Sequence, residues 1–63
     1  MHFRRGDRDV LVVFNGQTDA AVPVVEWPGR GAGRSWVLAP LRAPVPARRG
    51  GRVPYQGFLV TEW

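Results

Sequence analysis

Cysteine, lysine and isoleucine are absent from this chain of 63 residues, and histidine, serine and tyrosine occur once each, as His2, Ser35 and Tyr55. Without cysteine there is neither a disulfide nor a thiolate metal site. A lone histidine cannot build a cluster of imidazole ligands, and a lone serine with only a terminal histidine lacks a base to activate it. The carboxylates Asp7, Asp9, Asp19, Glu26 and Glu62 are dispersed along the chain. Paired catalytic acids need a dry cleft that splits their pKa values, and a small sheet has little volume for one. No apolar run approaches the ~20 residues of a membrane-spanning helix. The basic start Met1-His2-Phe3-Arg4-Arg5 is not followed by the apolar stretch of a signal peptide. The expectations are therefore no enzyme, no cofactor, no metal and no membrane, with a virion or cytoplasmic location.

What is present points to a folded chain that needs company. Hydrophobic residues make up 44% of it and three are tryptophan, a composition of globular rather than disordered protein. One domain spanning residues 1–63 is the sensible count. A chain this short buries only about 60% of the surface its unfolded form exposes, and such chains usually add disulfides, a metal or oligomerisation. The first two are excluded. Read as a complete product, the chain is expected to be held by copies of itself or by a larger assembly.

The charge is uneven in kind. Nine arginines carry all the positive charge, leaving the chain at +4 with a pI near 11.5. Arginine without lysine, beside abundant glycine, alanine and proline and no isoleucine, has the look of a GC-rich genome. Part of the arginine count then reflects codon supply rather than selection for polyanions.

Strand signals dominate. Asp9 to Asn15 holds five consecutive apolar residues, Val10 to Phe14, bounded by charge and by Asn15-Gly16. That run predicts a central strand, or one whose second face is covered by a partner. Asn-Gly is a strong hairpin signal, so a second strand is expected over Ala20 to Trp27, placed at an edge or bulge by Pro23. Pro28 to Arg34 reads as a loop. A third strand is expected over Ser35 to Arg42 and a last one over Gly57 to Trp63. Residues 43–52 form a Pro/Arg/Gly-rich connector, stiff over Ala43 to Ala47 and a basic turn over Arg48 to Arg52. Six prolines and eight glycines are spread so that no helical period survives. The fold class expected is all-β, a small antiparallel sheet of four or five strands curled into a barrel or half-sandwich with long loops.

Three motifs invite chemistry and each has a plainer reading. Gly29 to Ser35 suggests a phosphate loop, but Pro28 stands where the first glycine belongs, Arg34 replaces the lysine, and a strand follows where a helix is required. Arg5-Gly6-Asp7 spells an integrin-type tripeptide, which a chain this rich in Arg and Gly produces by chance. Arg30, Arg34, Arg42, Arg48, Arg49 and Arg52 with Tyr55, Trp27 and Trp36 form the third. They could serve nucleic acid, as basic patches interleaved with stacking aromatics do in small single-strand-binding barrels. Arginine and tryptophan also carry protein interfaces, and that reading is preferred. The interface candidates are Trp27, Trp36, Trp63, Tyr55, Arg30, Arg34, Arg48, Arg49 and Arg52.

The run Asp9-Val-Leu-Val-Val-Phe-Asn-Gly, then Val22-Pro-Val, Trp36-Val-Leu and the closing Pro54-Tyr-Gln-Gly-Phe-Leu-Val-Thr-Glu-Trp resembles the C-terminal β-domain of α-amylase-family enzymes, the debranching and trehalose-forming types especially. The resemblance covers most of the chain as a pattern of strands. It implies an antiparallel sandwich and no glycosidase activity, since the catalytic barrel of that family is missing, and no functional residues carry over.

The function expected is a non-catalytic structural protein docking on a larger repetitive assembly. The concrete version is a phage virion decoration, cementing or minor head or tail protein, with self, capsid or tail as partner. A nucleic-acid-binding small barrel is the rival, and a stand-alone carbohydrate-enzyme accessory module the third reading.

Overall fold

The apolar run at the heart of the sequence forms the second strand of a five-stranded antiparallel sheet. The structure, a computed structural model, describes residues 1–25, 31 and 33–63. The strands are β1 (His2–Arg5), β2 (Arg8–Phe14), β3 (Val22–Pro23), β4 (Arg34–Leu38), β5 (Val45–Pro46), β6 (Arg52–Val53) and β7 (Phe58–Glu62). The large sheet runs β1-β2-β7-β4-β5, and β3 pairs with β6 in a separate two-stranded ribbon. No helix occurs among the described residues. The fold is all-β, and its sheet stays open rather than closing into a barrel.

Register decides which side chains share a face. In β2 and β7, Val12 lies opposite Val60 and Val13 opposite Leu59; in β4 and β7, Trp36 lies opposite Val60 and Val37 opposite Leu59. Cross-strand partners point the same way and successive residues point opposite ways. Val13, Leu59 and Val37 therefore form one row on one face. The small ribbon lies over that row, and Val37, Leu59 and Val53 are the buried apolar residues among those described, with Val13, Val22, Val24 and Ala47 packed around them. The covered face continues through Leu11, Thr61 and Ser35, where the two hydroxyls bond each other at 2.8 Å.

Two features were not legible in the sequence. β1 is an edge strand whose four residues are all exposed. It is joined to β2 through Gly6-Asp7, with Gly6 at φ +62°. A glycine with positive φ at the first central position is what a two-residue type II′ hairpin requires. Arg5-Gly6-Asp7 is thus the corner of this hairpin. The stiff connector also supplies a strand: Val45–Pro46 closes the sheet beyond β4, a short proline-bearing edge that cannot template further pairing along its length.

The hairpin expected at Asn15-Gly16 does not form. β2 pairs with β1 and β7, whereas the following segment pairs with β6. Asn15 is buried and uses its side chain instead, donating from Nδ2 to the carbonyls of Ala20 and Val53 and accepting from the Gln17 amide. The second strand shrinks to Val22–Pro23, and the third ends at Leu38. Trp27, Arg30 and the rest of the expected loop from Pro28 to Gly29 lie outside the described residues, as do Glu26 and Ala32.

Candidate docking surface

The second face of the large sheet has no cover among the described residues. It is built by the alternate positions. One cross-strand row runs Phe3, Val10, Glu62, Arg34; the next Val12, Val60, Trp36, Pro46; the last Phe14, Phe58, Leu38. Arg5 and Arg8 form a further pair beyond the first row. Phe3 is 53% exposed, Phe14 52% and Phe58 40%. Val10, Val12, Val60, Trp36 and Leu38 are only half-buried. The rings of Phe14 and Phe58 sit 4.9 Å apart, tilted by 39°, in the geometry aromatic pairs favour. Within the chain, the β2 run is covered on its Leu11 and Val13 side, and its other side is the one that the sequence reading left to a partner. This apolar sheet face is the candidate docking surface.

The face is polar at one end and apolar at the other. At the polar end, Arg34 pairs in register with Glu62, and a neighbouring cleft is lined by Asp7, Arg8, Asp9, Arg34, Glu62 and Trp63. Arg5, Arg8 and Arg34 stand there with Glu62 as the carboxylate in register among them. At the apolar end three loops gather. Asn15 and Gly57 are joined by a backbone hydrogen bond, Gln56 donates to the Asn15 carbonyl, and its side chain donates to the carbonyls of Gly16 and Gln17. Turns 39–42 and 54–57 each close with a hydrogen bond from the fourth residue to the first. Gly57 fits between them because a Cβ there would lie 2.8 Å from the Leu38 carbonyl oxygen.

The interface candidates fall in separate places. Trp36 stands in the middle of the open face. Arg34 is at its polar end. Tyr55 is exposed in turn 54–57 at the apolar end, and Arg42 lies near it, both lining a cleft of about 360 Å³. Arg48, Arg49 and Arg52 are on the other side of the molecule. Arg48 and Arg49 occupy a turn closed by Gly51, with Gly50 at φ +78°. They line a cleft of about 160 Å³ with Ser35, Thr61 and Trp63. Trp63 packs within the chain, its indole Nε1 donating to the Gly31 carbonyl at 3.0 Å. Arg52 sits in β6 opposite Pro23. Arg48, Arg49 and Arg52 are thus gathered on one side, Arg48 and Arg52 lining one cleft and Arg48 and Arg49 the next with Trp63, while Arg34 and Arg42 lie apart from them.

The polar side chains that resemble a catalytic set are kept apart by topology. His2 Nε2 lies 3.0 Å from Asp9 Oδ1, with Arg4 Nε at 3.8 Å from the same oxygen. Asp9 is buried under this pair. A His–Asp pair acts only if a nucleophile reaches the other imidazole nitrogen. Ser35 is in β4, and β2 and β7 intervene between it and β1, a separation of about 14 Å at the usual strand spacing. Its hydroxyl bonds Thr61.

No protein-family model, curated protein or solved structure matches the chain. The resemblance to the amylase β-domain rests on the strand pattern alone.

Proposed function

We propose that this chain is a non-catalytic structural protein that buries the open face of its sheet against protein neighbours in a larger repetitive assembly. The observation that carries the reading is the open-face set Phe3, Val12, Phe14, Trp36, Leu38, Phe58 and Val60, its three phenylalanines exposed, beside a core of three buried apolar residues among the described ones. A protein neighbour that covers them supplies the missing half of a sandwich. The arginines and Glu62 at the polar end offer both signs of charge to such a neighbour. The concrete form is a decoration, cementing or minor head or tail protein of a phage virion, a role whose demands are small size, order and docking rather than chemistry. Purified particles from the source should then contain the chain in many copies, detectable by mass spectrometry, and its absence from particles overturns the virion assignment.

The rival class, a nucleic-acid-binding barrel, needs converging cations beside exposed aromatics. Arg48, Arg49 and Arg52 do gather, but away from Tyr55, Arg34 and Arg42 and away from the exposed aromatics of the open face, which favours the protein reading. The deciding experiment is a fluorescence-anisotropy titration with a single-stranded oligonucleotide at low salt. No saturable binding is expected. Tight binding that weakens with a logarithmic salt slope of about −0.7 per phosphate contacted, and that disappears on reversing the charges of Arg48, Arg49 and Arg52, reverses the order of the two readings.

A further inference from the structure

Leu41 is the one large apolar side chain among the described residues that is wholly out of the fold, at 105% exposure. Its backbone is also unusual. Turn 39–42 has Pro40 at its second position and Leu41 at its third, with φ +57°; the Arg42 amide closes it onto the Ala39 carbonyl. That is the type II pattern, whose third residue is normally glycine because a side chain strains there. Gln56 shares this φ, but its side chain is held by the carbonyls of Gly16 and Gln17, whereas Leu41 is pointed into water with no packing among the described residues. Strained residues of this kind cluster at functional surfaces.

Beside this knob is a hole. The cleft of about 360 Å³ at the same end is lined by Ala39, Pro40, Arg42, Pro54 and Tyr55. Its walls are the two residues before Leu41, the one after it, and the turn that leads into β7. Leu41 itself is not among them. A protrusion next to a matching recess on one surface is self-complementary, since a two-fold axis between them seats each knob in the other copy's hole. The last row of the open face, Phe14, Phe58 and Leu38, adjoins this end through the β4–β7 pairing.

We propose that the first partner of this chain is a second copy of itself, joined by a two-fold contact in which Leu41 of each copy enters the Pro40–Pro54–Tyr55 cleft of the other and the Phe14–Phe58 ends of the two sheets meet. The inference rests on the docking reading above and names one occupant for the apolar end of the surface. The two apolar rows, Val12–Val60–Trp36–Pro46 and Phe14–Phe58–Leu38, span roughly 260 Å² of sheet per copy. With the two turns and the seated Leu41 side chains added, the pair approaches the ~1,000 Å² total expected of a specific interface. The polar end, with Arg5, Arg8, Arg34 and Glu62, stays available to the rest of the assembly.

Sedimentation equilibrium on the purified chain tests this, with circular dichroism melts of each variant. The native chain should be a dimer at micromolar concentration. Leu41→Gly should raise the dimer dissociation constant at least tenfold, while the melting temperature of the dilute monomer stays the same or rises, because glycine relieves the turn. Tyr55→Ala, which opens the hole without touching the strained residue, should weaken the dimer in the same way. Leu41→Met, which keeps a knob, should retain it. A chain that is monomeric at about 0.5 mM, well above the range of specific association, overturns the proposal and assigns the face to a foreign protein. So does a dimer indifferent to both Leu41→Gly and Tyr55→Ala. Neither result touches the docking reading, which fails on oligonucleotide binding instead.

Discussion

At the scale of single residues, Asn15 carries more of the fold than its polar side chain suggests. It is 3% exposed, and its amide spans the end of β2, the following loop and β6 with bonds of 2.9 and 3.1 Å to Ala20 and Val53. Buried carbonyls left without a donor cost roughly 1–3 kcal/mol each. Asn15→Ala should therefore lower stability by about 2–3 kcal/mol in urea denaturation, and Asn15→Asp should do at least as much harm, since a carboxylate turns acceptor against acceptor. Retention of native stability by the alanine variant would show that water replaces the bonds. Asp9 is a second such point. Its carboxylate lies buried beneath His2 and Arg4, so Asp9→Ala should loosen the β1–β2 hairpin, read as faster amide exchange across His2 to Arg5.

At the scale of elements, β2 and β7 form a sheet centre with two unlike faces, and the two faces predict opposite phenotypes. Leu59 is on the covered side and 1% exposed. Truncating it to alanine should cost about 2–4 kcal/mol, most of what a small core supplies, so Leu59→Ala should unfold the chain by circular dichroism. Val12 lies on the open side opposite Val60. An aspartate there keeps its contact with water in the single chain, so Val12→Asp should retain the strand spectrum while abolishing association. The sequence by itself predicts unfolding for Val12→Asp, because five apolar residues in a row read as a strand buried on both sides. A folded but monomeric Val12→Asp variant separates the two accounts, and an unfolded one favours the first.

At the scale of the whole molecule, the described residues hold three buried apolar side chains and an open apolar face, so a partner that covers that face is expected to add stability. Binding to the native state alone raises stability by mass action. Dilution of the purified chain should accordingly lower its melting temperature. A sharp transition at the same temperature over a hundredfold range of concentration would mean that the small core and the ribbon over it suffice. The edges of the sheet point the same way. β5 is two residues long and ends in proline, and β1 carries Arg4 and Arg5. Short, charged or proline-bearing edges resist pairing with other chains, so growth through sheet edges is disfavoured and association is directed to the face.

The amino-acid sequence alone determined that the chain is all-β and where its central strands lie. Runs of valine, leucine and phenylalanine bounded by turn residues specify Val10 to Phe14, Trp36 to Leu38 and Phe58 to Val60 whatever they pair with, because β-branched and aromatic side chains fit a pleated, packed surface. It also excluded thiol chemistry outright. Strand partners belonged to the tertiary structure. Asn15-Gly16 is a local hairpin signal, but β2 gains more by pairing along five residues of β7, more than forty positions away in the chain for every pair, and its asparagine satisfies buried carbonyls instead. The strand His2–Arg5 was hidden because an exposed edge needs no apolar alternation. The two faces of β2 were equally apolar on paper, and only the position of the small β3–β6 ribbon decided which would become core and which would stay open. Leu41 was unremarkable as a letter between Pro40 and Arg42; the turn that holds it out of the fold is local, but its positive φ at a residue other than glycine is not written in the sequence.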